Sequence, residues 1–161
     1  MINMSTNNSS QWKDSGTEDY ENLLTINSCG YQKFTSKNME TVRIMGRIDY
    51  EIIYIINGKG YYKLKDEFCE VSKGNIIVYL PGMLQQYKYY FKDSTEVYWI
   101  HFTGRVAGEY LTALGLSDAQ VHYVDINGEC IDLYKKIINE LQLKRPMYEH
   151  FAAAYFSELL S

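Results

Sequence analysis

At 161 residues with a formal charge of −4, the chain has the material for one compact core and too little for two independent domains. It carries no stripe of Lys and Arg that could neutralise several phosphates, which excludes a nucleic-acid grip of its own. Its three cysteines, Cys29, Cys69 and Cys130, are too scattered for a disulfide framework or a CxxC zinc site. No apolar run reaches the roughly 18 residues of a membrane span.

Reduced thiols fit the cytoplasm, as does a polar start without the basic end and apolar stretch of a signal peptide. The 16 tyrosines supply both core and pocket wall, since each buries a ring and keeps a polar tip. Residues 1–22 are polar and poor in apolar spacing, so a flexible arm is expected there. LLTINSCGYQKF (23–34) and TVRIMGRI (41–48) read as short strands around the polar SKNME. Tyr50 to Ile56 is a nearly continuous apolar run, and Asn57-Gly58 after it is the dipeptide of a tight primed turn, so a hairpin with Gly60 to Lys65 is expected. The chain then turns at Asp66-Glu67 into Phe68 to Val71. A second turn at residues 72–75 leads to Ile76 to Leu80, which Pro81-Gly82 stops. Gln85 to Phe91 and Glu96 to Phe102 are the last strands, and together these signals predict a small antiparallel β-barrel or sandwich.

After Gly104 the apolar period changes from two to about 3.6. Val106, Tyr110, Leu111 and Leu114 share one helical face, closed by Gly115. Asn127 is placed to cap a second helix whose apolar stripe is Ile131, Tyr134, Ile137, Ile138 and Leu141. A third helical pattern, Met147, Phe151, Tyr155 and Leu159, continues to the last residue, as expected of a segment of a longer protein.

The order of these signals resembles the amino-terminal effector-binding domain of the AraC/XylS family of bacterial transcription regulators. The matching residues are residues 26–31, Arg47-Ile48-Asp49-Tyr50, residues 53–60, Val71, Gly74, Pro81-Gly82, Tyr87 and residues 98–104. The resemblance implies a mainly β fold with carboxy-terminal α: a cupin-like, jelly-roll-type antiparallel barrel followed by two to three helices. It divides the chain into an arm (1–22), a ligand-binding barrel (23–104) and a helical dimerisation segment (105–161). A carboxy-terminal helix-turn-helix domain, absent from this sequence, would then contact DNA.

The resemblance also implies a site. Cupins that bind metal use a His-x-His pair, a glutamate and a later histidine. Here Glu51 takes the glutamate position, while Ile44, Gly46 and Gln85 stand where the histidines belong, so neither metal nor other cofactor is expected. His101, His122 and His150 are dispersed. A sugar-like effector inside such a barrel meets an arginine, a tyrosine and a tryptophan, roles that fall on Arg43, Tyr87 and Trp99, with Gln85 and Glu51 as further polar partners. Val97 stands where the sugar-binding pattern can have a histidine. In the family a helix in this area pairs subunits, which makes Ile131, Tyr134, Ile138 and Leu141 interface candidates for a homodimer, the alternative being that they pack onto the barrel. The expected function is ligand sensing without catalysis. The alternatives are a metal-independent cupin enzyme of isomerase type using Glu51, and a barrel that only pairs subunits.

Overall fold

The computed structural model describes residues 2–7 and 13–161. Its strands are β1 (Ile2–Asn7), β2 (Thr25–Lys33), β3 (Met39–Arg43), β4 (Tyr50–Asn57), β5 (Lys59–Leu64), β6 (Glu67–Ser72), β7 (Asn75–Tyr79), β8 (Gln85–Tyr89), β9 (Glu96–Thr103) and β10 (Val121–Tyr123). Three helices follow or interrupt them: α1 (Ala107–Ala113), α2 (Gly128–Leu143) and α3 (Tyr148–Leu160). The strands form two sheets, one ordered β1-β2-β9-β4-β7-β10 and one ordered β3-β8-β5-β6, with antiparallel pairing throughout. The architecture is jelly-roll-like, two sheets face to face, and the sheets do not close into a barrel.

The nearly continuous apolar run of β4 has a direct cause: both faces of the larger sheet are covered. Ile53 and Ile55 join Val97, Tyr62 and Tyr87 in the core between the sheets. Ile52 and Tyr54 join Tyr98, Ile100 and Phe102 on the outer face, under the helices. With no exposed face there is no polar alternation to read.

The expected hairpin between β4 and β5 does not form. β4 is already paired on both edges, with β7 and β9, so the chain leaves the sheet at Asn57-Gly58 and enters the other one. Gly58 has φ +68°, and a Cβ there would sit 2.4 Å from the Asp93 carbonyl oxygen. The tight corner therefore demands glycine, although it joins sheets instead of paired strands. The real hairpin is β5–β6, turning at Lys65 in left-handed conformation.

Asn127 caps α2 as expected, its side-chain oxygen accepting from the Glu129 N–H at 2.8 Å. The stripe assigned to a dimer interface is spent inside the subunit. Tyr134, Ile138 and Leu141 are buried in the core that α2 and α3 make with the outer face, and Ile131 is half-buried against it. The physical reason is the second face of the large sheet: its apolar row needs covering, and α2 supplies the cover.

The segment expected as a loose arm is in part ordered by pairing. Ile2–Asn7 runs antiparallel along β2, and residues 13–22 cross one end of the sandwich; residues 1 and 8–12 of that arm lie outside the described residues. β10, three residues added to the edge of β7, is too short for its pattern to show in sequence. Cys29, Cys69 and Cys130 are free thiols, and among the described residues no helix is long and apolar enough to cross a membrane.

Candidate functional site

Strand register brings the site together. Across β4 and β9, Glu51 faces His101 and Ile53 faces Trp99; across β3 and β8, Arg43 faces Gln85 and Thr41 faces Tyr87. Side chains two residues apart share a face, so both sets turn into the gap between the sheets. They line a cavity of about 160 Å³ whose wall includes Thr41, Arg43, Glu51, Tyr87, Trp99 and His101. The neighbouring interior is packed by tyrosines: the Tyr62 and Tyr89 hydroxyls bond to each other, and Tyr87 lies among Tyr62, Tyr79 and Tyr89.

The polar groups form a connected wall. Arg43 donates from Nη1 to Gln85 Oε1 at 2.8 Å and to the Tyr87 hydroxyl at 3.4 Å. Glu51 Oε1 lies 3.0 Å from His101 Nε2, and the other ring nitrogen of His101 is 2.6 Å from Ser28 Oγ. The Trp99 ring stands beside His101, centroids 5.0 Å apart. Among the described residues, Glu51 Oε2, Gln85 Nε2 and His101 Nε2 of this group are buried without a hydrogen-bond partner, the last standing only at ion-pair distance from Glu51 Oε1. Such atoms are costly unless something satisfies them.

Burial pushes the Glu51 carboxyl up, but His101, Arg43 and Arg47 outweigh it and hold the group below its ordinary range. Burial opposes the charge on Arg43, yet the hydrogen bond to Asp14, the neighbouring Tyr87 oxygen and the Glu51 charge raise its pKa above the usual arginine value. Tyr87 is pushed up to about 12, first by burial and then by Glu51, so its phenol stays protonated and able to donate at neutral pH.

A second ionic group lies near Arg43. Arg47 and Asp49, both buried, pair at 2.7 Å (Nε to Oδ1) and 3.0 Å (Nη2 to Oδ2). Arg47 also donates to the Asp14 carbonyl at 2.6 Å, and the Ile48 N–H donates to Ser15 O at 2.8 Å. Gly16 (φ +88°) passes so close to Asp49 that a Cβ would lie 2.5 Å from its carboxyl carbon. These bonds hold residues 14–16 beside Arg43.

Arg43, Glu51, Tyr87 and Trp99 all line the cavity, and Gln85 stands behind Arg43. The register expected for a metal set is not kept. Ile44 is 71% exposed and Gly46 lies in the turn after β3, while Glu51 is paired to His101. Among the described residues no group of three or more His, Cys, Asp or Glu is placed to hold an ion. Sequence reasoning missed His101, which it weighed only as a metal ligand. The signal was present, because His101 follows Trp99 by two positions and so shares its face of β9.

With this geometry in view, comparisons place the chain among known proteins. The family model described as the AraC-like ligand binding domain matches residues 45–160. Among solved structures, apo ToxT K231A from Vibrio cholerae is similar at TM-score 0.51 and 12% identity, covering 88% of this chain and 55% of that one. A ToxT structure described as bound to unsaturated fatty acid gives TM-score 0.48, 12% identity and the same 88% and 55% coverage. The EutQ protein of Clostridium difficile gives TM-score 0.35 and 16% identity over 49% of this chain and 56% of that one. The chain thus spans little more than half the length of these structures. No curated protein matches it by sequence.

Proposed function

The chain belongs to the AraC-like ligand-binding domain family, and on that premise we propose that it is the effector-sensing part of a bacterial transcription regulator acting in the cytoplasm. The effector is a small polar, sugar-like molecule held between the two sheets. The observation that carries this reading is the convergence of Arg43, Glu51, Tyr87, Trp99 and His101 on one cavity, with Gln85 behind Arg43 and with Glu51 Oε2 buried and unpartnered in the wall. Guanidinium and phenol offer donors to hydroxyls, Glu51 offers an acceptor, and the indole gives a flat face for the C–H side of a sugar ring. The 160 Å³ volume lies below the range usual for drug-sized ligands and suits a small molecule.

The enzyme alternative finds less support. A carboxylate held below its ordinary range is a poor general base at neutral pH, where the best base titrates near the working pH. A switch needs an effector that binds one conformation better than the other. Residues 14–16, bonded to the cavity-lining Arg43 through Asp14 and to Arg47 and Ile48, are the element placed to respond. DNA contact is assigned, through the family, to a separate helix-turn-helix domain.

A thermal-shift screen against mono- and disaccharides tests the reading. The expected result is a stabilising sugar whose effect disappears in Arg43→Ala and in Trp99→Ala. A sugar that stabilises both variants as much as the unaltered protein binds elsewhere and overturns the site.

A further inference from the structure

The cavity-lining Arg43 carries a carboxylate of the chain's own on its outer edge. Asp14, its side chain 62% exposed, lies against the outer edge of the Arg43 guanidinium. Arg43 Nη2 donates to Oδ1 at 3.0 Å, and Nε lies 3.3 and 3.2 Å from Oδ1 and Oδ2. This is the fork-on-carboxylate arrangement that guanidinium favours. The inner edge of the same group meets only neutral partners, Gln85 and Tyr87.

The other ionic groups of the site have their partners inside the fold. Arg47 is paired with Asp49, and Glu51 with His101, each pair buried. Arg43 differs: its side chain is 15% exposed and its ion-pair partner is the solvent-facing Asp14. A cation so far withdrawn from water needs an anion, yet this one is held by a partner that water and salt can easily replace. In the cavity wall the unpartnered Glu51 Oε2 calls for a donor. One molecule meets both demands if it carries a carboxylate for Arg43 and a hydroxyl for Glu51, its other hydroxyls lying along the polar wall.

Resting on the reading of this cavity as the effector site, we propose that the effector is a small polyhydroxy carboxylate of the sugar-acid type, and that Asp14 holds the effector's place on Arg43 until displaced. The exchange is a side-chain event. The backbone of residues 14 and 15 remains bonded to Arg47 and Ile48, so the acid displaces one carboxylate and leaves the segment hooked in place. Arrival of the acid at the Arg43 fork is thereby reported at the edge of the arm.

Isothermal titration calorimetry with D-galacturonate and D-galactose, a pair differing in the carboxylate, tests this on the 161-residue chain. The expected result is tighter binding of galacturonate, and a further gain of about 1.5- to 5-fold in Asp14→Asn, the range of an exposed ion pair. Galactose affinity should be unchanged by Asp14→Asn, and Arg43→Ala should erase the preference for the acid. Preference for galactose, no binding of galacturonate, or galacturonate binding left unchanged or weakened by Asp14→Asn overturns the proposal. Trp99→Ala separates this from failure of the cavity itself. If that change still costs galactose affinity, the site stands and only the acid falls; if binding ignores both Arg43 and Trp99, both readings fall.

Discussion

Replacing Asp49 by asparagine tests whether the buried ionic pair beside the cavity fixes the local architecture. The substitution keeps the shape and an acceptor for Asn27 Nδ2, now at 2.9 Å, but removes the charge opposite Arg47. Arg47 is among the largest fully buried side chains, so its guanidinium is left without a counter-ion in the interior. Breaking such a pair from one side costs about 3–5 kcal/mol. For a domain of this size each kcal/mol lowers Tm by about 2–4 °C, so a fall of roughly 6–20 °C is expected. Urea denaturation and calorimetry measure both quantities. The double variant Arg47→Met with Asp49→Leu removes both charges and should recover most of the loss, short of the Arg47 bond to the Asp14 carbonyl, worth about 0.5–1.5 kcal/mol. A single-variant cost below about 1 kcal/mol, the scale of an exposed pair, refutes the reasoning. So does a double variant no more stable than the single one.

Two more outcomes follow from local geometry. Gly58→Ala forces a Cβ against the Asp93 carbonyl at positive φ, and urea denaturation should show a loss of at least about 1–2 kcal/mol. The Asp19 carboxyl is held at about 2 by hydrogen bonds from the Asn22 side chain and backbone, Thr25 and the Glu21 backbone, which outweigh burial. A depressed carboxyl stabilises the fold above its ordinary value of 3.8 and loses that contribution as pH falls toward about 2. Stability measured across that window should therefore decline less steeply in Asp19→Asn than in the unaltered protein; equal slopes would remove Asp19 from the acid response.

Much of the fold was legible because its elements carry local signals. The β5–β6 turn, the stop at Pro81-Gly82, the Asn127 cap and the β-rich run of β9 all rest on neighbouring residues. What was not legible depends on partners far along the chain. Asn57-Gly58 has the same local chemistry whether it joins paired strands or turns a corner between sheets, and only the prior pairing of β4 with β7 and β9 decides. The stripe of α2 likewise states that a face must be buried and not what covers it. Arg43, Tyr87 and Trp99, counted from glycine landmarks on the family resemblance, come to line one cavity because strand register preserves such counts. Asp14 and Arg47 could not be placed in this way, because their meeting spans 33 residues and an arm with no pattern of its own.

β9 separates two duties by parity. Val97, Trp99 and His101 point between the sheets, while Tyr98, Ile100 and Phe102 support the helices. Mutation can therefore explore new chemical tastes at the odd positions while the even positions keep the helical scaffold constant. A lineage built on this strand can change what it detects without relearning how to fold.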